Sequence, residues 1–178
     1  SGNDFSGLIV VDCVFEDNEA SRQGGAITST YTEVSIFGTS FSSNACVESP
    51  FASIGGACAF GSTAVLIENS SFEGNFAFRN GGALEVHGVF SGESASALIV
   101  ESVFTGNVAN ESGGGLKIDD GMSVEIGSTS FCENTPSQIE GSYSDLGGNC
   151  ISEVCDTDGD GTRDCDDLCP NDPDKTEP

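Results

Sequence analysis

Tryptophan is absent from this 178-residue chain, methionine and histidine occur once each, and lysine and arginine together number five. Against 29 acidic residues, those five cations leave a net charge of −24. A surface so poor in positive charge repels phosphate backbones and anionic lipid, so no nucleic-acid partner is expected. No apolar run approaches the ~20 residues of a membrane-spanning helix, which excludes membrane insertion of that kind. A starting methionine and a signal peptide are also missing, and an opening Ser1-Gly2 is expected of a mature form or a piece of a longer protein. Phosphate-loop, zinc and nucleophile-elbow signatures are lacking too. What is plentiful is glycine (24 residues), acid and cysteine. Eight cysteines in an acidic, lysine-poor chain indicate an oxidising, extracellular compartment.

Aligned on itself, the chain repeats. Phe-x-x-Asn recurs at Phe15/Asn18, Phe41/Asn44, Phe72/Asn75, Phe104/Asn107 and Phe131/Asn134. A small residue stands two positions before each Phe (Cys13, Thr39, Ser70, Ser102, Thr129). A β-branched residue stands five before (Val10, Ile36, Ile67, Ile99, Ile126), and another apolar one seven before. Positions seven and five before Phe share one face of a strand. The residue three before (Asp12, Gly38, Asn69, Glu101, Ser128) reads as a bend. A Gly-Gly pair follows each Asn, at 24–25, 55–56, 81–82, 113–114 and 147–148. A second strand then aligns Ile27, Cys58, Leu84, Leu116 and Cys150 in one column. No segment has a helical period, and a strand repeat of this length without helices indicates a solenoid. The expectation is an all-β fold, a parallel β-helix of about five coils over 1–151, with stacked Phe rings and an Asn ladder inside. The stretches 45–54 and 135–146 are expected to leave the stack as loops.

The signatures Gly24-Gly25-Ala26-Ile27, Gly81-Gly82-Ala83-Leu84 and Phe-x-x-Asn resemble the polymorphic outer-membrane-protein repeats of bacterial surface adhesins and autotransporters. The resemblance spans roughly residues 8–151 and implies a right-handed β-helix on the cell surface. No C-terminal membrane barrel is expected from these residues, a departure from that family's pattern.

Residues 152–178 form a different unit, irregular and strongly acidic, with too few apolar side chains for a core. From Asp156 onward, oxygen-bearing residues fall at positions 1, 3, 5, 7, 9 and 12 of a loop with Gly161 at position 6, the spacing of a calcium loop. The continuation Cys165-Asp-Asp-Leu-Cys169-Pro170-Asn-Asp-Pro resembles a bacterial thrombospondin type 3 repeat over 155–176. That resemblance implies a Ca²⁺-wrapped spacer with Asp156, Asp158, Asp160, Thr162, Asp164 and Asp167 as ligands of one ion. Asp166, Asn171, Asp172 and Asp174 are candidates for a second.

Cys46 and Cys58 flank the 45–54 stretch and are candidates for a disulfide, with two buried thiols as the alternative. Cys132, Cys150, Cys155, Cys165 and Cys169 cluster toward the C-terminus with connectivity open, and Cys13 stands alone in the Ser/Thr column. Asn69 and Asn110 head glycosylation sequons. One polar square carries candidate acid–base chemistry: Glu85 over Lys117 and His87 over Asp119 when coils are aligned on Gly-Gly. Cross-strand charge pairing explains the same pattern without catalysis. The sequence therefore points to a non-enzymatic, extracellular, calcium-stabilised structural module of a bacterial surface fibre or tandem array. Its partners would be copies stacked head to tail or neighbouring domains of a longer chain. A surface adhesion module binding glycans through the two insertions is the alternative; a polysaccharide hydrolase or lyase is a third.

Overall fold

The computed structural model describes residues 7–47, 53–90, 92–159, 162 and 164. The described strands are short, at most five residues, and every described pairing is parallel. Four sheets run along the stack. The first stacks Leu8–Val11, Val34–Phe37, Ala64–Glu68, Ser96–Val100, Ser123–Gly127 and Ser144–Gly147. The second, entered after a one-residue bend, holds the Phe column and also has six strands. A four-stranded sheet of two-residue strands and a five-stranded sheet beginning at Ile27–Thr30 complete each turn. This is a parallel β-helix of five coils, as the repeat arithmetic predicted, with part of a sixth that it did not.

The bends explain the repeat's punctuation. Asp12, Gly38, Asn69, Glu101 and Ser128 all have φ between 48° and 54°, so one left-handed residue turns the chain from the first sheet to the second in each coil. A second left-handed column (Asp17, Ser43, Gly74, Gly106, Glu133) follows each Phe by two residues. The Gly-Gly corner uses its two residues differently. Gly81 is left-handed at φ +63°, whereas Gly82 lies so close to the next coil that a Cβ would collide with Gly114 O and the Val108 backbone.

Inside, Phe41, Phe72, Phe104 and Phe131 are fully buried, and Phe15 packs on them from the first coil. Successive rings lie 4.5–5.0 Å apart with interplanar angles of 5–10°, the spacing of offset stacking. The apolar columns align in register: Leu8↔Val34↔Val65↔Ala97↔Val124 and Val10↔Ile36↔Ile67↔Ile99↔Ile126.

The fifth coil departs from the expected alignment. Leu116 pairs with Ile139, not Cys150, while Cys150 pairs with Ser130 in the second sheet. Gly147 pairs with Gly127 in the first sheet, so Gly147–Gly148 is no coil-five corner. Ser137 and Gln138 take that corner, accepting from Gly114 N at 2.8 Å and Leu116 N at 3.1 Å. The 135–146 stretch is therefore built into the stack through Ile139–Glu140 and Ser144–Gly147 and is not a projecting loop. Of the 45–54 stretch, residues 48–52 lie outside the described residues; Ile54 bridges Gln23 and Asn80.

The expected Cys46–Cys58 disulfide does not form; both are buried free thiols. They sit in different columns on different sheets, Cys46 paired with Ala20 and Ala77 and Cys58 with Ile27 and Leu84. Each fills a slot that an aliphatic residue fills elsewhere, which is the buried-thiol alternative. In the C-terminal cluster, Cys132 bonds Cys155, which pins the acidic tail to the last coils, and Cys150 is also disulfide-bonded.

Candidate functional site

Two side-chain ladders run beside the Phe stack. Asn44 Oδ1 accepts from both Asn18 N (3.1 Å) and Asn18 Nδ2 (2.8 Å). Asn75, Asn107 and Asn134 each do the same for the coil before at 2.8–3.0 Å. The second amide hydrogen of Asn44, Asn75, Asn107 and Asn134 goes to the carbonyl of the Phe one coil back at 2.9–3.0 Å. Gln138 Oε1 ends the series by accepting from Asn134 N and Nδ2. The hydroxyl column is parallel to it: Cys13 N, Thr39 N, Ser70 N and Ser102 N each donate to the hydroxyl of the next coil at 3.2–3.3 Å. Asn149 Oδ1 ends that ladder on Thr129 N at 3.0 Å. Sequence reasoning missed Gln138 and Asn149. Each is an amide standing where the next rung belongs, a signal visible only once the fifth coil's register is known.

The polar square is brought together. Glu85 registers with Lys117 across adjacent strands, and His87 and Asp119 continue the same two strands. Glu85 nevertheless is only 3% exposed and His87 8%. Glu85 Oε2 and His87 Nδ1 are buried without a hydrogen-bond partner. Burial, reinforced by Asp119, raises the Glu85 carboxyl to about 8 against the opposing pull of Lys117 and Arg79, so it is mostly neutral at pH 7. Burial also lowers the His87 pKa, with Asp119 pulling the other way. Arg79 is engaged in a two-pronged pair with Glu111 at 3.1 Å.

Beside the square lies an open cleft of about 520 Å³ between the 88–93 and 119–122 corners, lined by Phe90, Lys117, Asp119 and Met122 among others. The 88–93 segment is strapped down by Glu93, whose carboxylate accepts from Tyr31 OH (2.9 Å), Ser62 Oγ (2.7 Å) and Phe90 N (3.2 Å). Glu93, which spacing did not single out, is held ionised by these donors, Ser62 foremost. Lys117 and Asp119 line the cleft, whereas Glu85 and His87 are not among its walls. An acid whose oxygen is sealed from the cleft cannot reach a substrate there, since proton transfer needs heavy atoms within about 3 Å.

In the tail, the chain curls back as a cation loop must. Asp164 N donates to Cys155 O at 2.9 Å, returning position 9 to the start of the loop. Asp164 accepts from Thr157 N and Oγ1, both at 2.6 Å, which holds its carboxyl below the usual range. Asp156 Oδ1 accepts from Gly159 N. Among the described residues, no three ligand-type side chains converge on one point. The carboxylates of Asp156 and Asp164 are thus engaged with donors of the segment itself. Asp160, Asp166, Asp167, Asn171, Asp172, Asp174, Cys165 and Cys169 lie outside the described residues. Asn69 and Asn110 are both exposed, Asn69 at the left-handed bend and Asn110 with its Nδ2 on Phe78 O.

Residues 12–30, within the first coil, match the family profile of the Chlamydia polymorphic membrane protein repeat. No curated protein and no solved structure matches the chain. The match supports the polymorphic-membrane-protein type of repeat and favours a surface-exposed, non-enzymatic β-helical protein.

Proposed function

We propose that this chain is a structural module of a bacterial cell surface, a rigid β-solenoid rod joined to a calcium-binding acidic connector. The observation that carries the reading is the pair of uninterrupted side-chain ladders. They tie coil to coil, the Asn ladder over four strand spacings and the hydroxyl ladder over five, a rise of about 24 Å at ~4.8 Å each. Such ladders suit a spacer, because each rung is fixed in register by its neighbours and no segment has to move. The thrombospondin type 3 reading of 155–176 rests on its residues. Asp156, Asp158, Asp160, Thr162, Asp164 and Asp167 would supply oxygens, and Ca²⁺ would offset the mutual repulsion of a tail too acidic to fold by burial. Head-to-tail stacking of copies into a fibre has to contend with a C-terminal end where Gln138 and Asn149 already take the ladder donors.

Adhesion through the cleft between the 88–93 and 119–122 corners is a second reading, favoured by Phe90 at its lip, 68% exposed. Antibody raised against the folded solenoid should label intact cells without permeabilisation, and the purified protein should turn over no member of a polysaccharide panel. Turnover that disappears when Glu85, His87, Lys117 and Asp119 are replaced together would overturn the structural reading in favour of an enzyme.

A further inference from the structure

The cleft between the 88–93 and 119–122 corners has both lips fixed in place. On one side Glu93 N donates to Phe90 O at 3.2 Å, Phe90 N to the Glu93 carboxylate at 3.2 Å, and Val89 N to Ser62 Oγ at 3.0 Å. On the other, Met122 N closes the corner on Asp119 O at 3.3 Å, and Met122 Sδ accepts from Ala95 N at 3.2 Å. Leu116 and Ile118 turn inward to the core, so Lys117 and Asp119, which alternate with them, turn outward into the cleft. Arg79–Glu111 is the one ion pair among the described residues, so the Lys117 ammonium and the Asp119 and Asp120 carboxylates bring unpaired charge into this space. Glu93 differs, its carboxylate being taken up by Tyr31, Ser62 and Phe90. The side chain of Phe90 stands 68% exposed at the lip.

We infer that this cleft binds a neutral oligosaccharide, which names the ligand class for the adhesion reading on which the inference rests. A cavity of about 520 Å³ is the size of a small-ligand site. A polyanion would face Asp119, Asp120 and a chain of net charge −24, and is repelled. A cation would face Lys117 in the same walls. An uncharged ligand dense in hydroxyls suits both signs at once. Its hydroxyls donate to the carboxylate oxygens of Asp119 and Asp120 and accept from the N–H donors of Lys117. The C–H face of a pyranose ring is apolar and lies on the face of an exposed aromatic ring, the part that falls to Phe90. A peptide adding as a strand finds no free edge here, because Leu84–His87 and Leu116–Ile118 are each paired on both sides. Walls already held in place keep the ordering cost of binding low.

The test is isothermal titration calorimetry of the whole protein with neutral sugars (cellotetraose, maltotetraose, N-acetylchitotriose, lacto-N-tetraose), acidic sugars (tetragalacturonate, sialyllactose) and the cation choline. At least one neutral sugar is expected to saturate a single site with a Kd below about 10 mM, and the acidic sugars and choline to bind at least tenfold more weakly. Phe90→Ala should weaken the neutral sugar at least tenfold, and Asp119→Asn and Lys117→Gln at least threefold each. Arg22→Gln, on a different cleft, should leave binding unchanged, and circular dichroism checks the fold of every variant. In parallel, phage-displayed dodecapeptides are selected on the parent protein and counter-selected on Phe90→Ala. No neutral sugar bound by about 10 mM, binding indifferent to Phe90→Ala, or acidic sugars bound as tightly as neutral ones would each overturn the proposal. Phe90-dependent peptides without a bound sugar would overturn the saccharide class and leave the cleft an adhesive surface. No Phe90-dependent binding of either kind would overturn the adhesion reading along with it.

Discussion

At the scale of single residues, Glu85 and His87 are two buried titratable groups whose pH dependences oppose each other. The Glu85 carboxyl titrates at about 8 in the fold against a reference of 4.5. Unfolding therefore releases its proton across that interval, so the fold loses stability as pH rises from about 4.5 to 8 and is level on either side. A shift of that size is worth at most about 4–5 kcal/mol at roughly 1.4 kcal/mol per pH unit. The His87 pKa is lowered by burial, so the unfolded chain takes up its proton first and the fold loses stability as pH falls below about 6.5. Glu85→Gln keeps the shape and removes the ionisation. Chemical denaturation should show it more stable than the parent by a few kcal/mol at pH 8 and level with it near pH 4. A variant no more stable at pH 8 would mean that Glu85 is solvated and ionised in the fold.

At the scale of the coil, position in the ladder should decide the cost of losing a rung. Asn75→Ala removes four hydrogen bonds in a buried setting, those from Asn44 N and Nδ2 to Asn75 Oδ1 and those from Asn75 Nδ2 to Phe41 O and Asn107 Oδ1, and leaves Asn44 N without an acceptor. At about 1–3 kcal/mol for the orphaned donor on top of the four lost bonds, the expected loss exceeds 3 kcal/mol by thermal or chemical unfolding. Asn18→Ala, made on the exposed edge, should cost under about 1 kcal/mol. The corner glycines give a second contrast. Gly74 has φ +59° and nothing within 4 Å of an added Cβ, so Gly74→Ala meets only backbone strain of about 1 kcal/mol. Gly82 has ordinary φ, yet its Cβ would strike the next coil, and Gly82→Ala should cost at least twice as much.

These elements were also where the sequence could be read and where it failed. Phe-x-x-Asn, the Val/Ile columns and the bend residues recur because each occupies an equivalent site in every coil, and identical sites demand alike side chains. The fifth coil broke the pattern because the partial coil after it adds strands to only two of the four sheets. Gln138 replaces the Asn that would come next, and the Gly-Gly pair at 147–148 matched the motif while serving a different turn. Burial of Glu85 was likewise hidden: alternation along Leu84–His87 points it away from the apolar core, and only the folded chain shows it 3% exposed.

At the scale of the whole molecule, the solenoid and its acidic tail are held by different forces, and they should come apart separately. The solenoid is fixed by apolar columns and neutral ladders, which neither chelator nor salt addresses. The tail, with ten acids against two cations in 151–178, is tied to the last coils by Cys132–Cys155. A closed loop of 23 residues restricts the unfolded chain by about 3 kcal/mol, so the bond should steady the fifth coil as well as the tail. In calorimetry with Ca²⁺, two transitions are expected, and a chelator should lower or abolish only the tail's, exposing bonds after residue 155 to protease while the solenoid core stays resistant. Cys155→Ser should lower the solenoid's own melting temperature by several degrees, and this drop should persist in the presence of chelator. Identical thermograms with and without chelator would remove calcium from the account of the tail. A solenoid transition that moves with Ca²⁺ even after Cys155→Ser would show that the two units are not independent.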